Sequence, residues 1–244
     1  MQAFILAAGL GTRLKPLTDS RPKALAEVQG RTLIELAIDN LAAQGIRHIV
    51  VNTHHFSEML VRYIQSRQWD ADIVISDERE MLLDTGGGLK KAARYFNADE
   101  PILIHNVDIL SHIDFHAMEM HHADAMNIAT LAASQRNTSR QLLFDVRGRL
   151  AGWRNSQTGE EKWVGIPMQD IQQLAFSGIA IIQPELLGLL PEADRPYPII
   201  PHYLEIAKEH RISYFKHKKE DWLDIGKPDT LALAQKWNFN TPKH

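Results

Sequence analysis

Short apolar runs alternate with amphipathic stretches along the first hundred residues. Residues 4–8 form an apolar run that predicts a strand, and residues 32–44 set Leu33, Leu36, Ala37 and Leu41 at helical spacing, with Gly45 where a helix stop belongs. Residues 48–52 predict a fully buried strand, Ser57 the cap of a helix running to about Arg67, and residues 72–76 a third strand. A helix over 88–96 and a strand over 101–105 are expected next. This alternation builds an α/β fold, a doubly wound, mostly parallel mixed sheet with helices on both faces.

After Asp114 the pattern changes. Residues 127–134, 141–146, 149–153 and 175–182 all read as strands separated by turn-rich segments, which predicts mixed rather than purely parallel sheet. Residues 155–170 are polar and irregular and are expected to be a lid or a disordered loop. Helices are expected over 198–210 and 229–237, with a strand over 213–217 between them. No repeat, heptad run or linker interrupts the chain, so residues 1–244 are expected to form one domain, with residues 1–110 as its nucleotide-binding half.

Composition narrows the function classes. A hydrophobic content of 44% over 244 residues is ample for a core, and a net charge of −3 argues against a nucleic-acid binder. No stretch approaches the roughly 18 apolar residues of a membrane span, and the N-terminus lacks a charged leader, so no membrane partner is expected. Zero cysteines exclude disulfides and thiolate chemistry and fit a cytoplasmic protein.

The positive charge is local. Leu6-Ala7-Ala8-Gly9-Leu10-Gly11-Thr12-Arg13-Leu14-Lys15-Pro16-Leu17-Thr18 leads out of the first strand, and Pro22-Lys23 comes soon after. Gly9 and Gly11 remove side chains that would keep backbone N–H groups from phosphate oxygens, while Arg13, Lys15, Arg21 and Lys23 supply neutralising charge. A polyphosphate is the expected ligand. A dinucleotide turn would need a third glycine where Leu14 stands and an acidic residue after the second strand, where Asn52-Thr53 stands.

On these residues the chain resembles the sugar-1-phosphate nucleotidylyltransferases, whose signature L-A-A-G-x-G-x-R-x-x-P-x-T followed by P-K is matched from Leu6 to Lys23. The resemblance extends through Asp84-Thr85-Gly86-Gly87-Gly88, Asn106-Val107-Asp108, Phe176-Ser177-Gly178 and Trp222-Leu223-Asp224-Ile225-Gly226. It implies a Rossmann-like, GT-A-like fold in which residues 111–244 bind the sugar. It further implies nucleotide contacts at Ala8, Gly9, Gly11, Thr12, Thr85 and Gly86, with Glu78 toward the base edge. Mg²⁺ would be held by Asp108 and Asp224, and the acceptor by Ser177, Gly178 and Lys162. The pair Val107-Asp108 stands where the family often has Gly-Asp, and Trp163 follows Lys162 where many members have proline.

General chemistry supports the carboxylates independently. Asp108 follows the strand expected over 101–105, at the carboxyl end where open α/β sheets place ligands, and Mg²⁺ is commonly held by few carboxylates plus phosphate oxygens. The twelve histidines lack zinc spacing, because His54 and His55 are adjacent and the His116, His121, His122 group lies on an expected surface helix. Trp153, Trp163 and Trp222 read as packing residues.

The expected reaction is Mg²⁺-dependent transfer of a nucleoside monophosphate from an NTP to a sugar 1-phosphate, with release of pyrophosphate. Arg13 would bind the departing phosphates and Lys23 the reacting centre. Among short relatives the chain most resembles N-acetylmuramate-1-phosphate uridylyltransferases, then mannose- or heptose-1-phosphate guanylyltransferases, which sets UTP and GTP as candidate donors. The absence of a C-terminal hexapeptide repeat fits a single-activity enzyme, a monomer or small homo-oligomer. A phosphocholine cytidylyltransferase or a non-catalytic nucleotide-sugar-binding regulatory protein are the alternatives.

Overall fold

In the computed structural model, which describes residues 1–239, one large sheet runs through both halves of the chain. Strand β1 (Gln2–Leu6) leads through three short 3₁₀ turns to the hairpin of β2 (Glu27–Val28) and β3 (Arg31–Thr32). Helix α1 (Leu33–Ala43), β4 (His48–Thr53), α2 (Ser57–Gln65), β5 (Asp72–Asp77), α3 (Asp84–Ala92) and β6 (Ile102–Asn106) come next. The second half runs β7 (Ile109–Ser111), α4 (Phe115–Asp124), β8 (Ala129–Ser134), β9 (Arg140–Phe144), β10 (Leu150–Asn155), β11 (Glu161–Trp163) and β12 (Gln172–Ile182). Then come α5 (Leu186–Leu189), α6 (Ile199–Ile206), β13 (Ile212–Lys216), β14 (Trp222–Asp224) and α7 (Pro228–Ala234).

Strands β5, β4, β1 and β6 are mutually parallel and adjacent in that order. Long β12 lies antiparallel beside β6 and pairs on its other side with β8, to which β13 is parallel. The first residues of β12 pair with β9, opening an antiparallel branch of β9, β10 and β11. Side chains alternate across the sheet: Ala3 and Ile5 of β1 enter one buried layer, while Phe4 enters the other with Val50 and Ile104. The fold is thus the expected α/β mixed sheet. Among the described residues no helix is long and apolar enough to cross a membrane.

Most expected elements form within a few residues of their expected bounds. Thr32 caps α1 by accepting from the Glu35 N–H, and Gly45 ends it in left-handed backbone (φ 85°). Three differences have physical causes. Ser57 lies inside α2 rather than capping it, because its hydroxyl is bonded to Thr53 at 2.8 Å and Phe56 takes the cap position. Helix α3 starts at Asp84 rather than at 88, so Gly86 and Gly87 also lie within it. There, a Cβ on Gly86 would lie 2.4 Å from the Tyr197 ring, so glycine is demanded by packing and overrides poor helix propensity. The 155–170 segment is partly ordered as the β10–β11 hairpin, where Arg154 pairs with Glu161 at 2.6 Å.

Candidate active site

The site gathers at the carboxyl ends of β1, β4, β5 and β6. The N–H groups of Ala7 and Ala8 both donate to Asn52 Oδ1, at 2.6 and 3.1 Å, which fixes the chain as it leaves β1. Asn52 in turn donates from Nδ2 to Glu78 Oε1 at 2.7 Å, and the Leu83 N–H donates to Glu78 Oε2 at 3.1 Å. Glu78 is fully buried, and that burial raises its pKa above the ordinary value of 4.5. Its carboxylate is therefore occupied behind the loop, which corrects the expectation that it reads a base edge.

Past this anchor the loop is open to solvent. Ala8 is buried, whereas Gly9, Thr12 and Arg13 are exposed, and Thr18 Oγ1 donates to the Gly11 carbonyl at 2.9 Å to close the turn. The expected phosphate-facing positions thus sit on a braced rim.

Asp108 and Asp224 meet through a two-stranded sheet. Strand β7 begins directly after Asp108 and pairs antiparallel with β14, so Asp224 stands opposite Ile109, and the Ile225 N–H donates to the Asp108 carbonyl at 2.8 Å. Lys23 Nζ is ion-paired with Asp108 Oδ2. Arg13 reaches the same place: a Cβ on Gly226 would sit 2.7 Å from Arg13 Nη2 and 2.8 Å from Asp224 Oδ1, so a side chain there would push one of these groups aside. Burial and then the neighbouring Asp108 push the Asp224 pKa up, against the charges of Lys23 and Arg13. Asp224 Oδ1 is buried without a hydrogen-bond partner. Two crowded carboxylates facing two cations make a site suited to a divalent cation and phosphates.

The remaining expected residues are dispersed more widely. Thr85 Oγ1 accepts from the Ile199 N–H at 2.9 Å, and the Gly86 N–H donates to the Tyr197 carbonyl at 2.9 Å. Ser177 is fully buried, its Oγ bonded to His217 Nε2 at 2.7 Å and accepting from Arg136 Nη1 at 2.8 Å. Gly178 adopts left-handed backbone (φ 72°) at a register break in β12, against Asn106. Lys162 lies exposed on the edge strand β11, 3.3 Å from Glu160.

Sequence reasoning missed Asn52 as an anchor and missed Arg136 altogether. A polar residue ending an otherwise apolar strand was the available signal for Asn52. Arg136 lies just after β8 in a polar stretch with no motif.

The family model described as nucleotidyl transferase matches residues 2–142. Over 242 residues the chain is 31% identical to the N-acetylmuramate alpha-1-phosphate uridylyltransferase of Caulobacter vibrioides, covering 96% of this chain and 95% of that protein. It is 26% identical to the mannose-1-phosphate guanyltransferase of Debaryomyces hansenii, covering 93% of this chain and 62% of that protein. Among solved structures, a putative glucose-1-phosphate thymidylyltransferase from Bacillus anthracis in complex with sucrose superposes with a TM-score of 0.77 at 18% identity, covering 99% of this chain and 98% of that one. HddC from Yersinia pseudotuberculosis complexed with GMP-PN gives 0.75 at 19%, covering 96% and 97%.

Proposed function

The chain belongs to the nucleotidyl transferase family and transfers a nucleoside monophosphate from an NTP to a sugar 1-phosphate, and from that premise we propose a uridylyl transfer to N-acetylmuramate 1-phosphate. The choice of pair rests on the relative from Caulobacter vibrioides, which matches this chain over nearly the full length of both. GTP with mannose 1-phosphate is the second reading, favoured by the 26% identical guanyltransferase. The names of these relatives specify sugar phosphates, which leaves phosphocholine and a purely regulatory role without support.

The observation that carries the mechanism is the convergence of Lys23, Arg13, Asp108 and Asp224 at the carboxyl end of the parallel strands. Asp108 and Asp224 fit Mg²⁺, because they offer hard oxygen donors and one buried carboxylate oxygen without a partner. When bound, Mg²⁺ would supply charge neutralisation between the two phosphate-bearing substrates.

In this reading Arg13 holds the β- and γ-phosphates that leave, and Lys23 neutralises charge at the α-phosphate. The braced rim at Ala8, Gly9, Gly11 and Thr12 holds the triphosphate, and Thr85 and Gly86 border the base and ribose. Gly178 borders the sugar, with Lys162 toward its phosphate, whereas Ser177, expected to hold the acceptor, is fully buried with its hydroxyl bonded to Arg136 and His217 and so supports the strand from behind. An acceptor phosphate with a second pKa near ~6 is already mostly ionised at neutral pH, so its oxygen attacks in line without a general base. Alignment and electrostatic stabilisation then supply the acceleration.

The test is pyrophosphate release across a grid of four NTPs and several sugar 1-phosphates with Mg²⁺. Turnover is expected to be highest for UTP with N-acetylmuramate 1-phosphate. A clear preference for another pair would overturn the substrate assignment, and release only with phosphocholine would overturn the acceptor class.

A further inference from the structure

Resting on the nucleotidyl-transfer reading, we propose that Arg136 is a positioning residue that ties the acceptor-side bulge of β12 to the strand carrying Asp224. Three successive main-chain carbonyls at this bulge are capped by only two side chains. Arg136 donates to the Ala175 carbonyl at 3.2 Å and to the Phe176 carbonyl, and Trp222 Nε1 donates to the Ser177 carbonyl at 2.7 Å. The Arg136 guanidinium also lies against the second of these side chains, 3.9 Å from the Trp222 ring centroid. Further donation goes to Ser134 Oγ at 3.1 Å and Ser177 Oγ at 2.8 Å.

Both ends of this clamp reach the site. Trp222 stands two residues before Asp224 on β14, so fixing its ring and its indole N–H fixes the strand that presents the carboxylate. At the other end the bulge places Gly178 so close to Asn106 that a Cβ would lie 2.6 Å from Asn106 Nδ2, and Asn106 precedes Asp108 by two residues. Arg136 therefore spans from the acceptor side to the carboxylate pair while most of its donors are committed to protein acceptors. Burial holds the Arg136 pKa down to about 10, against the opposing charge of Asp224. A lysine could replace it only in part, because a point ammonium cannot cap two carbonyls and a hydroxyl while stacking on an indole.

Arg136→Met and Trp222→Phe, with Arg136→Lys as the partial replacement, test this. Three readouts are used: KM for acceptor, KM for NTP, and Mn²⁺ affinity by electron paramagnetic resonance without turnover. Arg136→Met is expected to raise acceptor KM about tenfold or more and to weaken Mn²⁺ binding, leaving NTP KM within about twofold. Arg136→Lys should fall between Met and wild type. Unchanged acceptor KM and Mn²⁺ affinity, or an equal rise in both substrate KM values, would overturn the proposal. If Arg136→Met does not fold, Trp222→Phe decides, since it keeps a stacked ring and removes the indole N–H; an acceptor KM equal to wild type there overturns the clamp. A wild-type enzyme inactive with every NTP and sugar phosphate pair refutes the transfer reading instead, and the Mn²⁺ comparison then decides the clamp alone.

Discussion

Lys23 Nζ is ion-paired with the Asp108 carboxylate, and the two side chains are only 11% and 15% exposed. That lysine balances one of two carboxylates that crowd each other, since Asp108 raises the pKa of Asp224. Lys23→Ala should therefore act twice. Turnover should fall about 10²-fold or more, as when an electrostatic stabiliser is removed elsewhere. The ligand-free protein should also lose stability, because an uncompensated partly buried carboxylate remains. Steady-state kinetics beside a thermal melt separates the effects, and near-wild-type turnover would refute the role of Lys23.

Asp224 makes the metal-free protein pH-sensitive in a definite direction. Its folded pKa is raised above the ordinary 3.8 by burial and by Asp108. A raised carboxyl pKa means that the folded form holds the proton better. That contribution is fully present below the ordinary value and is lost as pH rises through the raised one. Asp224→Asn should consequently melt higher than wild type in chelating buffer at pH 7 to 8, with the gain shrinking toward about pH 4, where the unfolded carboxyl is itself half protonated. Turnover of the same variant should fall sharply. A melting difference independent of pH would contradict this account.

Asn52 couples two loops through groups that are all buried. Asn52→Ala would strip the acceptor from the Ala7 and Ala8 N–H groups and the donor from Glu78, so a stability loss on the order of 2 to 4 kcal/mol is expected. The loop anchored here is the NTP-facing one. KM for NTP should thus rise more than KM for acceptor, and urea unfolding with two-substrate kinetics would check both. An equal change in the two KM values would place the anchor elsewhere.

The parallel half was legible because its strands are continuous apolar runs and its first helix carries a clean stripe, Leu33, Leu36, Ala37 and Leu41. What escaped detection is local structure set by distant contacts. The three-residue strands β7 and β14 are too short to show a period, yet their pairing is what brings Asp108 beside Asp224. The run Gly86-Gly87-Gly88 reads as a turn by propensity yet is helical, and glycine is needed there because Tyr197 and Glu78 occupy the space that side chains would need. Signature residues such as Arg13 and Lys23 could be located from spacing alone. Arg136 and the Asn52–Glu78 pair belong to no spacing pattern, since their partners lie on other strands.

His105 offers a measurement independent of substrate. It lies on β6, fully buried, with its ring edge-on to Phe115, and burial holds its pKa down to about 4 from 6.5. A depressed histidine pKa contributes stability that is fully present above the unfolded value and is lost as pH falls toward the folded one. Between pH 6.5 and about 4 the unfolded chain takes up a proton that the native ring refuses, worth about 3 kcal/mol over the window. His105→Leu removes that proton while keeping an apolar filling. The stability lost by wild type on acidification from pH 7 to 4.5, measured by urea unfolding, should exceed that of the variant. Parallel stability curves for the two proteins would mean that His105 has the same pKa in the folded and unfolded states.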